Sequence, residues 1–205
     1  PFGLATAPRI FSKVLAPVVA CLHLKGISVF PYLDDWLLCA SFYSKAQQDV
    51  GVTCRLLESL GWILNLSKSS LMPSQEVTFI GAIFNTIDGR VYLPRKRALC
   101  LQKNLRLLLS RSEAPARVWL RVQGYMAAYT AVVQWARFHI KPLVNHLLLH
   151  WNQSSQDFKT LVPVSSQVSQ DLHWWLVDDN LLTGGPFLFP APLVLTTDAS
   201  LWGRG

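Results

Sequence analysis

Apolar residues recur at helical spacing over residues 5 to 24, at Ile10, Phe11, Val14, Leu15, Val18, Val19 and Leu22, which predicts a helix with one buried face. Thr6 ahead of Pro8 is a plausible start, Pro17 is expected to kink the helix, and Gly26 ends it. Short apolar runs follow at Ile27 to Tyr32 and Trp36 to Ala40, predicting two strands around Leu33-Asp34-Asp35, with Pro31 making the first irregular near its tip. Ser44 with Gln47 reads as a capping box opening a helix to about Leu60, stopped by Gly61, and Trp62 to Leu66 reads as a short strand. Val77 to Asn85 and Arg90 to Leu93 predict strands joined through Asp88-Gly89.

Beyond Pro94 the period becomes helical. One helix carries Leu99, Leu101, Leu105, Leu108 and Leu109, a second runs from Pro115 through Val133, and a third follows Pro142. Residues 152 to 170, rich in Ser, Gln and Val, read as a loop, with a short helix over Gln170 to Val177. Thr183 to Pro192 reads as a linker and Leu193 to Thr197 as a strand. The fold class expected is α+β: antiparallel sheet with helices first, then an all-helical region.

With 51% hydrophobic and 15% charged residues, the chain has apolar material for one or two cores and is not disordered. The most apolar run, Val14 to Leu24, is broken by Pro17 and His23, so neither a membrane span nor a signal peptide is expected. Cys21, Cys39, Cys54 and Cys100 lie far apart and read as buried thiols of a reducing compartment, placing the protein in cytoplasm or nucleus. Net charge is +7, unevenly distributed: residues 90 to 141 hold eleven of nineteen Lys and Arg and one acid, Glu113. Such a stretch suits a phosphate backbone, although a solvated helix face gives similar composition.

Asp34 and Asp35 stand side by side between apolar runs. Asp also favours turns for its own reasons, so a plain turn is one reading; the other is a divalent cation, because adjacent carboxylates repel unless positive charge lies between them. That second reading points to magnesium and phosphoryl transfer. His146 and His150 are one helical turn apart but lack further ligands, and Asp178-Asp179 reads as a turn at a helix end.

The order of segments resembles the reverse transcriptases of retroelements, most closely the DIRS-type retrotransposons. Pro1-Phe2-Gly3-Leu4-Ala5-Thr6-Ala7-Pro8-Arg9-Ile10-Phe11 is similar to the family's B motif, Tyr32-Leu33-Asp34-Asp35 to its C motif and Leu60 to Ser69 to its D motif. Phe79-Ile80-Gly81 with its hairpin resembles the E motif, or primer grip, and Thr197-Asp198-Ala199-Ser200 the opening of a ribonuclease H domain.

The resemblance implies an RNA-directed DNA polymerase using two Mg2+ ions, with Mn2+ as an alternative, and acting on RNA template, DNA primer and deoxynucleoside triphosphates. It implies Asp34 as a metal ligand, Asp35 as a weaker one and Asp198 as a ribonuclease H ligand. Lys68 is implied as general acid or charge partner for the leaving pyrophosphate, and Pro1, Phe2, Gly3, Tyr32, Leu33, Phe79, Ile80 and Gly81 as nucleotide or primer contacts. Arg95, Lys96, Arg97, Lys103, Arg106, Arg117 and Arg121 are implied as backbone contacts. The domains expected are the later palm over 1–93, helical thumb and connection over 94–182, a linker over 183–192, and the start of a ribonuclease H-like domain over 193–205. A further palm aspartate is expected upstream of Pro1, so the fragment alone is expected to be inactive. An inactive nucleic-acid-binding remnant and an RNA-dependent RNA polymerase are the alternatives.

Overall fold

The computed structural model describes residues 4–187, 199–200 and 203–204, in two compact units, 1–84 and 85–205. Pro1, Phe2, Gly3, Asp198 and the expected strand over Leu193 to Thr197 lie outside the described residues.

In the first unit, α1 (Ala7–Leu24) leads into the hairpin β1 (Ser28–Tyr32) and β2 (Asp35–Cys39), followed by α2 (Tyr43–Ser59), β3 (Glu76–Phe79) and β4 (Ala82–Asn85). Two glycines end the helices by the same device. Gly26 and Gly61 sit at φ 72° and 80°, where a side chain is disfavoured, and each N–H donates to a carbonyl near its helix end, His23 and Glu58. The next residues, Ile27 and Trp62, reach back to Leu22 and Leu57, completing Schellman motifs that satisfy carbonyls left over at the termini.

Leu22, Ile27 and Val29 form a small core against which Val19, Trp36, Leu38, Val52 and Leu56 pack, so the inner hairpin face lies on both helices. Lys45 pairs with the buried Asp49 and donates to the Gly26 carbonyl, tying α2 to the turn after α1.

Several expectations change here. α1 runs through Pro17 uninterrupted, and Thr6 makes no side-chain cap; Pro8 in the first turn, where its missing N–H costs nothing, starts the helix instead. Taken whole, α1 is long and apolar enough to cross a membrane by length and composition, although Leu15, Val18 and Leu22 are buried on one face. α2 begins one residue before Ser44, so Ser44 lies inside the first turn and no capping box forms. Trp62 to Leu66 has no strand partner and is not a strand. The expected strand from Val77 to Asn85 is broken at Ile80-Gly81, both at positive φ, 49° and 72°. Two left-handed central residues are the signature of a tight hairpin turn, and β3 and β4 are sheet neighbours.

The second unit holds β5 (Arg90–Tyr92), α3 (Arg95–Leu109), β6 (Glu113–Pro115), α4 (Ala116–Tyr129), α5 (Ala136–His139), α6 (Lys141–His150), β7 (Leu161–Pro163), α7 (Ser166–Leu172), a 3-10 turn over His173–Leu176, α8 (Asp178–Leu182) and β8 (Gly185–Pro186). Two-residue strands β9 (Ala199–Ser200) and β10 (Gly203–Arg204) pair with each other. Asp88-Gly89 does form a turn: Asn85 Oδ1 accepts from the Ile87 and Asp88 N–H groups, and Gly89 is at φ 67°. The core is continuous, with Leu101, Leu105, Trp119, Val122, Met126, Leu143, Leu172 and Trp175 among its buried members.

α4 ends at Tyr129, short of Val133. The segment read as a loop over 152 to 170 contains β7 and most of α7. β7 pairs antiparallel with β6, and the carbonyls of Thr160 and Phe158 accept from the N–H groups of Ala116 and Arg117 at the α4 N-terminus. Gly185 and Pro186, read as linker, pair with Val91 and Arg90. Asp178 and Asp179 open α8, where carboxylates favour the helix dipole, and Asp178 accepts from the buried Gln102 amide at 2.7 Å. The four thiols are free: Cys21, Cys54 and Cys100 are half-buried, while Cys39 is exposed rather than buried.

His139 stacks on Trp174 at 3.9 Å and 7° between planes, and burial lowers its pKa from the ordinary 6.5. Between the lowered folded value and 6.5 the unfolded chain binds the extra proton, so stability rises with pH through that window. The contribution is complete above the unfolded pKa and is lost as pH falls toward the folded one. Near-UV circular dichroism melts should show a drop in melting temperature below pH 6.5 that is shallower in His139→Phe; equal slopes would refute the assignment.

Candidate active site

The hairpin of β1 and β2 pairs in unbroken register from Ser28 opposite Cys39 to Tyr32 opposite Asp35, leaving Leu33 and Asp34 as a two-residue loop. Leu33 is left-handed at φ 54°, and Asp34 is not, the II′ pattern that suits strand twist. Tyr32 and Asp35 close the loop as the hydrogen-bonded pair, which makes Pro31 opposite Trp36 a non-bonded pair. The missing Pro31 N–H therefore leaves no gap in the ladder, contrary to the irregularity expected near the tip.

Alternation sorts the side chains. Val29, Trp36 and Leu38 face the helices, while Phe30, Tyr32 and Asp35 share the opposite face; Phe30 and Tyr32 are exposed despite their rings. Asp34 and Asp35 are both exposed, and neither forms a hydrogen bond through its carboxylate or an ion pair among the described residues. The site thus presents two adjacent, uncompensated hard-oxygen donors on an open face. Magnesium suits such donors, since it takes one or two carboxylates and fills its remaining positions with water and phosphate. No group of three metal-ligating side chains occurs among the described residues.

Sequence reasoning missed Trp36. Its indole N–H donates to the Leu33 carbonyl at 3.1 Å, pinning the loop that carries Asp34 to the strand that carries Asp35. Only the register, which puts Trp36 on the inner face beneath the loop, reveals this.

Lys68 stands on a separate turn, where its N–H and that of Ser69 donate to the Asn65 carbonyl; its side chain is exposed and makes no ion pair with either carboxylate. Phe79 packs on Phe84 with ring centres 6.5 Å apart, while Ile80, half exposed, and Gly81 form the tip between β3 and β4. A β-branched residue at positive φ is costly, so the tip holds Ile80 in a conformation that its own preference opposes.

In the second unit, Arg95, Lys96, Arg97, Lys103, Arg106, Arg117 and Arg121 are all exposed. Lys96, Lys103 and Arg106 fall on one face of α3, and Arg117 and Arg121 lie one turn apart on α4. Arg95, Lys96 and Arg97 crowd the first turn of α3, a turn that carries no acidic residue and where the helix dipole disfavours cations. His146 is buried, donates to the Pro163 carbonyl at 2.7 Å and lies against Trp119; His150 donates to the His146 carbonyl. Both are structural.

Comparison with known proteins gives a consistent result. Residues 1–84 match the family described as reverse transcriptase (RNA-dependent DNA polymerase). All of the chain aligns with the retrovirus-related Pol polyprotein from transposon opus of Drosophila melanogaster, 29% identical over 215 residues and spanning 20% of that polyprotein. The fold is similar to that of the foamy viral protease-reverse transcriptase in complex with double-stranded DNA, with a TM-score of 0.67 at 20% identity, over 91% of this chain and 29% of that one. Residues 1–84 are thus similar to reverse transcriptase domain sequence, and the chain spans about a fifth of the transposon Pol polyprotein it aligns with.

Proposed function

We propose that the chain is the later palm (1–93) and the thumb and connection (94–182) of an RNA-directed DNA polymerase, part of a longer polyprotein of DIRS type that also carries ribonuclease H from Thr197-Asp198 onward. The observation that carries the polymerase reading is the pair of exposed, unpaired carboxylates, Asp34 and Asp35, on a two-residue hairpin whose outer face is aromatic. Asp34 would hold Mg2+ directly with Asp35 in support, and the two ions, when bound, would supply polarisation of the primer hydroxyl and neutralisation of the triphosphate.

The chain's own residues do the rest. Tyr32, whose ring is exposed beside Asp35, supports the primer end; Gly3 lets backbone approach the nucleotide; and Phe79-Ile80-Gly81 presents a fixed tip to the primer strand. The exposed cations of α3 and α4 hold template and primer by their phosphates, independent of sequence. Cations crowded at the α3 N-terminus, unfavourable to the free helix, become favourable when an anion lies against them.

Restoring the upstream sequence and measuring magnesium-dependent extension of a DNA primer on RNA tests this reading. Extension is the expected result, and a folded but inert parent supports the remnant instead. Lys68 meets the leaving pyrophosphate as proton donor or cation. In the same parent, Lys68→Ala should slow single-nucleotide incorporation by about 10²-fold or more, the scale of general acid catalysis. Unchanged turnover defeats that role.

A further inference from the structure

We propose that the groove beside Trp135 in the second unit is a stacking site for an unpaired nucleic-acid strand, built from residues other than the acidic hairpin and the basic faces of α3 and α4. The segment after α4 buries Val133 and Ala136 and turns Trp135, Arg137, Phe138 and Lys141 outward. Trp135 is 70% exposed and Phe138 67%, an unusual use of the two rings with most to gain from burial.

Trp135 is also left-handed, at φ 65°, which a bulky residue rarely adopts and which a glycine would carry without strain. An indole held at such a position and left in solvent adds strain to the fold and little packing, which directs attention to what it contacts outside the chain.

The platform behind the rings is rigid. Phe138 meets the edge of His139 at 5.2 Å, His139 lies flat on Trp174, and the buried Trp175 donates its indole N–H to the His139 carbonyl at 3.1 Å. Across from it stand Val91, Gly185 and Pro186, enclosing about 730 Å3, room for a nucleotide. Among the described residues the lining includes Arg137 of α5 and Lys141, which opens α6, and no acidic residue. An apolar peptide has no use for the two cations, and a bare phosphate has none for the two rings. An unpaired base on a charged backbone uses both, whereas in a duplex the base faces are already occupied.

The test is fluorescence-anisotropy titration of the 205-residue chain with a labelled single-stranded DNA oligonucleotide, and with the same strand annealed to its complement. Trp135→Gly should lose about tenfold in affinity for the single strand, within the range for one stacked base, and leave duplex binding unchanged. Its melting temperature should hold or rise, because the strain is relieved. Trp135→Phe should keep most of the affinity. The double variant Arg137→Gln, Lys141→Gln should flatten the slope of log affinity against log salt by about 1.4, for two lost contacts to a single strand.

Single-strand binding by Trp135→Gly within twofold of the parent chain overturns the proposal, as does an equal loss on duplex. So does a chain that is dimeric by sedimentation and becomes monomeric in Trp135→Gly, which would make the groove a contact between copies. Phe138→Ala, which leaves the turn backbone untouched, reads the same loss if a Trp135 variant fails to fold. The site stands or falls apart from the polymerase reading, since Asp34 takes no part in it.

Discussion

Asp34→Asn in the parent protein with upstream sequence restored should abolish primer extension while leaving the fold intact. Asparagine is isosteric with aspartate and equally at home in turns, and Asp34 makes no side-chain bond in the hairpin that the change could break. Its fold-side cost is therefore near zero. What disappears is a full negative charge on an exposed loop, where no described residue pairs with it.

Metal-borne stabilisation of a phosphoryl transition state amounts to several kcal/mol, and each 1.36 kcal/mol is tenfold in rate, so if Asp34 is the direct ligand proposed above its loss should cost roughly 10³-fold or more. Asp35→Asn should fall in the same direction with a smaller loss, in keeping with the supporting role proposed for it. Single-turnover incorporation at saturating magnesium checks both. Extension by Asp34→Asn within about twofold of the parent would remove the catalytic role, because no positional or folding effect is available to rescue it.

How far the fold was legible follows from where its determinants lie. The acidic hairpin was readable because they are local: two short apolar runs with an acid pair at the bend between, although Asp35, expected in the bend, belongs to β2 and leaves a two-residue loop. The ends of α1 and α2 were readable because Gly26 and Gly61 each follow a periodic run. Elements fixed by distant partners were not. β7 exists because Val162 pairs with Ala114 on β6, and no local pattern announces it. α7 is opened by the Ser165 side chain accepting from the Val168 N–H, a cap hidden among neighbouring serines. The break in the expected strand at Ile80 runs against that residue's own preference for extended backbone, so propensity pointed the wrong way there.

The candidate site divides similarly. Its charges were visible in the sequence, whereas the indole bond of Trp36 to Leu33 depends on backbone geometry that composition does not encode.

Trp175→Ala should be the most damaging single change to the second unit's stability. Trp175 is fully buried in the 3-10 turn between α7 and α8, packs edge-on to Trp174 at 5.1 Å, and bonds through its indole to the carbonyl of His139. Truncation leaves a cavity where an indole was, costing about 3–5 kcal/mol, and orphans a buried carbonyl, about 1 kcal/mol more. Against a typical domain stability of about 5–15 kcal/mol, that removes roughly a quarter or more. The melting temperature should drop by roughly 10–20 °C.

The effect has a direction that Trp135→Gly reverses: one tryptophan holds the unit together, while the other strains it. Trp175→Phe, which keeps most of the volume and loses only the N–H, should recover most of the loss and leave a deficit of about 1 kcal/mol. A shift under about 3 °C for Trp175→Ala would mean that the turn collapses around the gap. His139 and the α5 platform then owe their position to backbone alone, and the rigid floor assigned to the Trp135 groove goes with them.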